Sequence, residues 1–248
     1  MSIIHEHQLI FIHTAKTAGT SISDYFNSER GHHNFQQYHK DLGPEFIKYK
    51  SFVVVRDPVD RFISAWNMVV TDPDLAPEYL ETYPEFCLDL NEALQTDIAS
   101  RLRSDPEIAW FWSQMELLLV EFAPDSSAPQ VYLYIPTFVL FFDNLLTDFK
   151  RLCNMVSVEF DSTKFLHLQT SKGRWQKSDL NASSLEVIRK CYSTDYTLIN
   201  KILSANALDP SRKIENPDIE RVITKEGSTA FLPLFDNPTA GLFKVTKK

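Results

Sequence analysis

The run His13-Thr14-Ala15-Lys16-Thr17-Ala18-Gly19-Thr20-Ser21 gathers small side chains, hydroxyls and one lysine between an apolar stretch and a helical pattern. At a strand-to-helix junction the first N–H groups of the helix lack internal partners, which makes the junction an anion site. Ala15, Ala18 and Gly19 let the backbone approach a ligand, Thr20 and Ser21 add hydroxyl donors, and Lys16 adds a full charge. The expected chemistry is the holding of a phosphate or sulfate. Further along, Arg56 stands at a strand end and Ser64 inside the next helix, where a forked guanidinium and a hydroxyl would clamp a second phosphate. Arg61 lies elsewhere on that surface, either as a ligand or as bracing toward Asp57 or Asp60.

Between these two blocks lie His32, His33 and His39. Histidine titrates near neutral pH and is the first candidate for a base that takes a proton from a reacting group, with Asp and Glu elsewhere as alternatives. His13, inside the first loop, is expected to shape that turn. Gln114, beside Trp110-Phe111-Trp112, is placed either to contact a ligand or to satisfy polar groups in the core.

These side chains need a scaffold. Residues 9–12 and 52–55 are short, continuous apolar runs, as buried parallel strands require. Each precedes a helical pattern, over residues 21–26 and 59–70, the second carrying Phe62, Ile63, Trp66 and Val70 at helical spacing, with Pro58 suited to its first turn. Two successive strand-loop-helix units predict an α/β layered fold. A mostly helical insert is expected over 84–122, strands over 131–135 and 138–142, and a helix over 145–155 opened by Asp143-Asn144. Residues 183–203 read as a long amphipathic helix broken near Thr194. The prolines at 210, 217, 233 and 238 mark residues 207–248 as an irregular extension packed on the domain formed by residues 1–206.

With 248 residues and 44% hydrophobic content the chain can bury one full core. Its net charge of -8 disfavours nucleic acid and anionic membranes, so an anionic ligand needs a local cluster of donors. Cys87, Cys153 and Cys191 lack metal or redox spacing and read as buried free thiols. No run approaches a membrane span or a secretory leader, and a reducing cytoplasm is the expected setting.

In the nucleotide-kinase loop the lysine follows the second glycine, whereas Lys16 precedes Gly19. The run Lys16 to Ser21 instead resembles the PKTAGTS phosphosulfate loop of the sulfotransferases that use 3'-phosphoadenosine 5'-phosphosulfate (PAPS), with Ala15 in place of proline. Arg56, Asp57, Pro58, Arg61 and Ser64 match that family's R-[DN]-P-x-x-R-x-x-S block. Trp112-Ser113-Gln114, Phe141 to Leu145 and Tyr192-Ser193-Thr194-Asp195-Tyr196 are similar to segments of its carbohydrate 2-O-sulfotransferase branch and bacterial relatives. The resemblance implies a P-loop-like three-layer α/β fold with a central, mainly parallel sheet flanked by helices. It implies PAPS as co-substrate, held by Lys16, Thr17, Ala18, Gly19, Thr20 and Ser21 at the phosphosulfate and by Arg56 and Ser64 at the 3'-phosphate. Lys172 and Gly173 lie where related enzymes close over the nucleotide.

Lys16 would then stabilise the leaving oxygen, and His33, as the closest counterpart of the family's base, or His32 would deprotonate the acceptor. The acceptor is expected to be a hydroxyl or amine of a small molecule or carbohydrate. No metal is expected, since Lys16 and backbone donors supply the positive field. The competing expectations are a kinase with a non-standard phosphate loop, which would depend on a metal, and a nucleotide-binding protein without turnover.

Overall fold

Apolar side chains at every position of residues 9–12 and 52–55, rather than at alternate ones, demand a sheet covered on both faces. The computed structural model, which describes residues 2–74, 76–105, 116–122, 130–165, 173–205 and 241–245, has that architecture. In chain order the strands are β1 (Ile3–Ile4), β2 (Leu9–Ile12), β3 (Lys50–Val55), β4 (Leu119–Phe122), β5 (Gln130–Ile135), β6 (Phe138–Phe141) and β7 (Gly241–Val245). The helices are α1 (Gly19–Tyr25), α2 (Phe35–Leu42), α3 (Pro58–Thr71), α4 (Ala76–Thr82), α5 (Leu90–Ala93), α6 (Ile98–Ser104), α7 (Leu145–Met155), α8 (Ala182–Cys191) and α9 (Ser193–Ala205).

The central sheet runs β1-β2-β3-β6, with β2, β3 and β6 parallel and β1 antiparallel at the edge. Alternation along the strands sends side chains to opposite faces. Ile10, Ile12, Val53 and Val55 pack against Phe35 and Tyr38 of α2 and Leu198 and Ile199 of α9. Leu9, Phe11, Phe52, Val54, Phe138 and Leu140 pack against Ile22 of α1 and Phe149 and Leu152 of α7. The fold is therefore α/β with helices on both sides of a mainly parallel sheet. A third cluster joins Phe62, Trp66 and Val69 of α3 to Leu90, Ile98 and Ile188 of α5, α6 and α8. Fully burying a side chain such as Phe62 contributes about 2–3 kcal/mol, so α3 is firmly seated beneath the site it carries.

Several expectations are refined. Asp57 caps α3, its Oδ1 accepting from the N–H groups of Val59 and Asp60 at 3.0 and 3.1 Å, with Pro58 in the first turn. The insert is helical through α6 but ends in β4, which pairs with β5 in a second, antiparallel sheet. A short apolar run cannot be told from a helix segment by period alone. β7 completes that sheet, so the extension expected to be irregular is a strand over Gly241–Val245. The long C-terminal helix breaks at Tyr192, between α8 and α9. Cys153 is buried, but Cys87 is exposed and Cys191 half-buried, contrary to the expectation of three buried thiols.

Candidate functional site

Strands β2, β3 and β6 all end on one side of the sheet, at Ile12, Val55 and Phe141, and in open α/β sheets ligands bind beyond the carboxyl ends of the strands. The loop after β2 carries Lys16 and Ala18 in the left-handed region, at φ 66° and 63°, each at a cost of about 1–2 kcal/mol for a residue with a Cβ. A dense set of bonds holds that shape. The Thr17 hydroxyl donates to the Thr14 carbonyl at 2.7 Å and meets the Thr14 hydroxyl at 2.8 Å, and Thr14 in turn reaches the Val54 carbonyl. Arg56 donates to the Lys16 carbonyl at 3.0 Å and Arg61 to the Ala15 carbonyl at 3.2 Å. At the start of α1 the Ile22 N–H donates to the Ala18 carbonyl at 3.2 Å.

Packing within the loop also requires Gly19: a Cβ there would fall 1.5 Å from His13 Nε2, so the glycine makes room for the His13 ring. His13 does shape the turn, as expected. Burial, with help from His32 and Arg30, pushes its pKa down to about 3, so it is neutral.

Arg61 is fully buried, and besides the Ala15 carbonyl it donates to the Tyr192 hydroxyl at 2.8 Å. This decides its role as bracing, directed to the phosphate loop and the α8–α9 break rather than to Asp57 or Asp60. Tyr192, Asp195 and Tyr196 are all buried, so the tyrosine-aspartate segment supports the site from behind. Arg56 stacks over the Phe142 ring at 4.1 Å and also lines a cleft of about 460 Å3, within the usual range for small-ligand sites. That cleft brings together Arg56, Ser64 and Gly173, three of the expected nucleotide ligands, and adds Asp60, Asn67, Trp175 and Lys177. Lys172, Ser171, Trp112 and Gln114 lie outside the described residues.

The consecutive histidines diverge. His32 Nδ1 lies 2.8 Å from the His13 carbonyl and its ring 4.2 Å from the His13 ring, at the foot of the phosphate loop. His33 packs edge-on against Tyr38 at 5.9 Å. Geometry therefore brings His32, not the favoured His33, to the loop. His39 stacks on Phe35 beyond it.

Sequence reasoning missed Asn67 and Met68, although both stand one helical turn past Ser64 on α3. Met68 matters because Lys16 Nζ donates to its sulfur at 3.3 Å. Burial, followed by the charges of Arg56 and Arg61, lowers the Lys16 pKa to about 8, with Asp72 opposing. A bound polyanion would reverse that shift, so binding at high pH must take up a proton. Affinity for adenosine 3',5'-bisphosphate is expected to hold steady just below pH 8 and to fall as pH rises past it. Titration calorimetry in buffers of different ionisation enthalpy would detect the proton. An affinity that stays flat up to about pH 10, roughly the ordinary lysine range, would show that Lys16 does not face the ligand.

The chain is thus an α/β protein with a mainly parallel sheet whose strand ends carry one braced, lysine-bearing loop and one arginine-serine cleft. Residues 1–201 match the family described as the Sulfotransferase family, and the chain belongs to it. No curated protein and no solved structure matches the chain significantly. Among the described residues no helix is long and apolar enough to cross a membrane.

Proposed function

We propose that this chain moves the sulfuryl group of PAPS, in the cytoplasm, onto a hydroxyl or amine of a small-molecule or carbohydrate acceptor. The observation that carries the donor is Arg56, whose guanidinium touches the phosphate loop at the Lys16 carbonyl and lines the cleft that holds Ser64. One residue thus links two anion sites, as a nucleotide with phosphates on both sides of its ribose requires. The loop from Lys16 to Ser21 takes the phosphosulfate, and Arg56 and Ser64 take the 3'-phosphate.

Transfer is an in-line displacement at sulfur. The acceptor oxygen or nitrogen forms a bond to sulfur while the bridging oxygen to the 5'-phosphate departs with the electron pair. Negative charge develops on that oxygen, where the Lys16 ammonium stabilises it. The acceptor proton passes to His32. By analogy with phosphoryl transfer, positioning and electrostatics provide most of the acceleration.

Changing Arg56 to Ala is expected to weaken binding of the bisphosphate by about 1.5–3 kcal/mol, or roughly tenfold to 150-fold, the worth of hydrogen bonds to a charged group. Calorimetric titration measures this directly. A protein that bound ATP tightly and ignored the bisphosphate would overturn the donor.

A further inference from the structure

Residues 173–178 form one wall of the cleft, and a buried side chain opposite fastens them. Asn67, on α3 and 3% exposed, uses both ends of its carboxamide on one residue of that wall. Its Nδ2 donates to the Trp175 carbonyl at 2.9 Å, and its Oδ1 accepts from the Trp175 N–H at 3.0 Å. The amide thereby completes the hydrogen bonding of a main-chain unit as a neighbouring strand would. Gly173 fits this clamp closely, since a Cβ there would stand 2.9 Å from Asn67 Nδ2. A second tether, from Lys177 Nζ to Asp57 at 3.2 Å and Asp60 at 3.7 Å, joins the same segment to the start of α3. That pair is partly open to solvent and contributes little by comparison.

Asn67 and Ser64 stand one turn apart on α3 and line the same cleft. We infer that Asn67 is a positioning residue for the nucleotide: it holds the Gly173–Trp175 wall at the distance from Ser64 and Arg56 that the 3'-phosphate end of the nucleotide requires. The inference rests on the nucleotide assignment proposed above. Asn67 commits one N–H and one lone pair of its carboxamide to Trp175, which turns the amide toward the wall. Its effect is on the population of closed wall: where only a fraction of molecules has the wall in place, apparent affinity falls by that fraction.

Three variants test it: Asn67→Ala, Gly173→Ala and the double variant. Binding of adenosine 3',5'-bisphosphate and amide hydrogen exchange at Trp175 are followed in each. Asn67→Ala removes both hydrogen bonds to Trp175 and is expected to raise Kd about tenfold and to speed exchange at Trp175. Gly173→Ala, whose backbone lies outside the left-handed region, acts by pushing the amide off Trp175 and should give the same two changes. The double variant should be no worse than either single one, because the clamp is broken only once.

A purely structural Asn67 would lower Tm, leave the Kd of the folded protein unchanged and add to the effect of Gly173→Ala, and any of the last two results overturns the positioning role. If Asn67→Ala does not fold, Gly173→Ala carries the test alone through the same two readouts. A wild-type protein that fails to bind the bisphosphate refutes the nucleotide assignment and the positioning role with it. Faster exchange at Trp175 would then mark Asn67 as a fold clamp only.

Discussion

Replacing Lys16 by methionine is expected to lower the rate of sulfuryl transfer by ~10²–10³, the usual cost of removing a donor aimed at charge that develops in the transition state. Methionine keeps the length and the apolar stem of the side chain and removes only the ammonium. The effect should fall on turnover more than on the affinity for adenosine 3',5'-bisphosphate, because that product analogue lacks the sulfuryl group and the bond that breaks. The Lys16 amine rests on the Met68 sulfur at 3.3 Å, a weak acceptor from which it is easily drawn toward a polyanion. The loop itself is held by Arg56, Arg61, Thr14 and Thr17 and not by the Lys16 side chain, so the variant should fold. Release of the bisphosphate from PAPS, with an acceptor drawn from a library screen, measures the rate. A variant that keeps full turnover would remove Lys16 from the chemistry.

The central layers were legible because β2 and β3 are apolar on both faces, a pattern that only a doubly covered sheet satisfies. The phosphate loop was legible as residue types, but the reason for Gly19 was not: the His13 ring reaches it across the turn, and nothing in the local sequence records that contact. Arg61 was open between ligand and brace for a related reason. Its partners, the Ala15 carbonyl and the Tyr192 hydroxyl, belong to segments far from it in the chain. Asn67 was invisible because its meaning lies in the Trp175 main chain, brought to it only by folding. β7 escaped because a short apolar segment amid prolines gives no sign of a partner strand.

The choice between His32 and His33 shows the same limit, and it sets the last expected result. Neighbouring residues in an extended segment direct their side chains to opposite sides, so adjacency in sequence gives no reason to prefer one. In the folded chain His32 Nδ1 faces the His13 carbonyl at 2.8 Å. A carbonyl only accepts, so Nδ1 carries the proton and, in the neutral ring, Nε2 keeps its lone pair for an incoming one. This is the tautomer a general base requires, held beside the loop that binds the donor. His33, packed on Tyr38, has no such connection to the loop.

Changing His32 to Ala is therefore expected to lower turnover by about 10²–10⁴ while leaving affinity for the bisphosphate nearly intact, since the imidazole acts only as the acceptor attacks. The same change at His33 should keep most of the activity. Wild-type turnover should fall on acidification, as the base becomes protonated, and the His32 variant should lose that acid limb from its profile. Rate measurements across pH on both variants, with binding and melting checked in parallel, decide the assignment. If His33→Ala alone abolishes turnover, the base is the residue the sequence favoured. If both variants turn over normally, the proton goes to a carboxylate instead, and Asp60, which lines the cleft and whose pKa burial and Asp57 push upward, becomes the first residue to change.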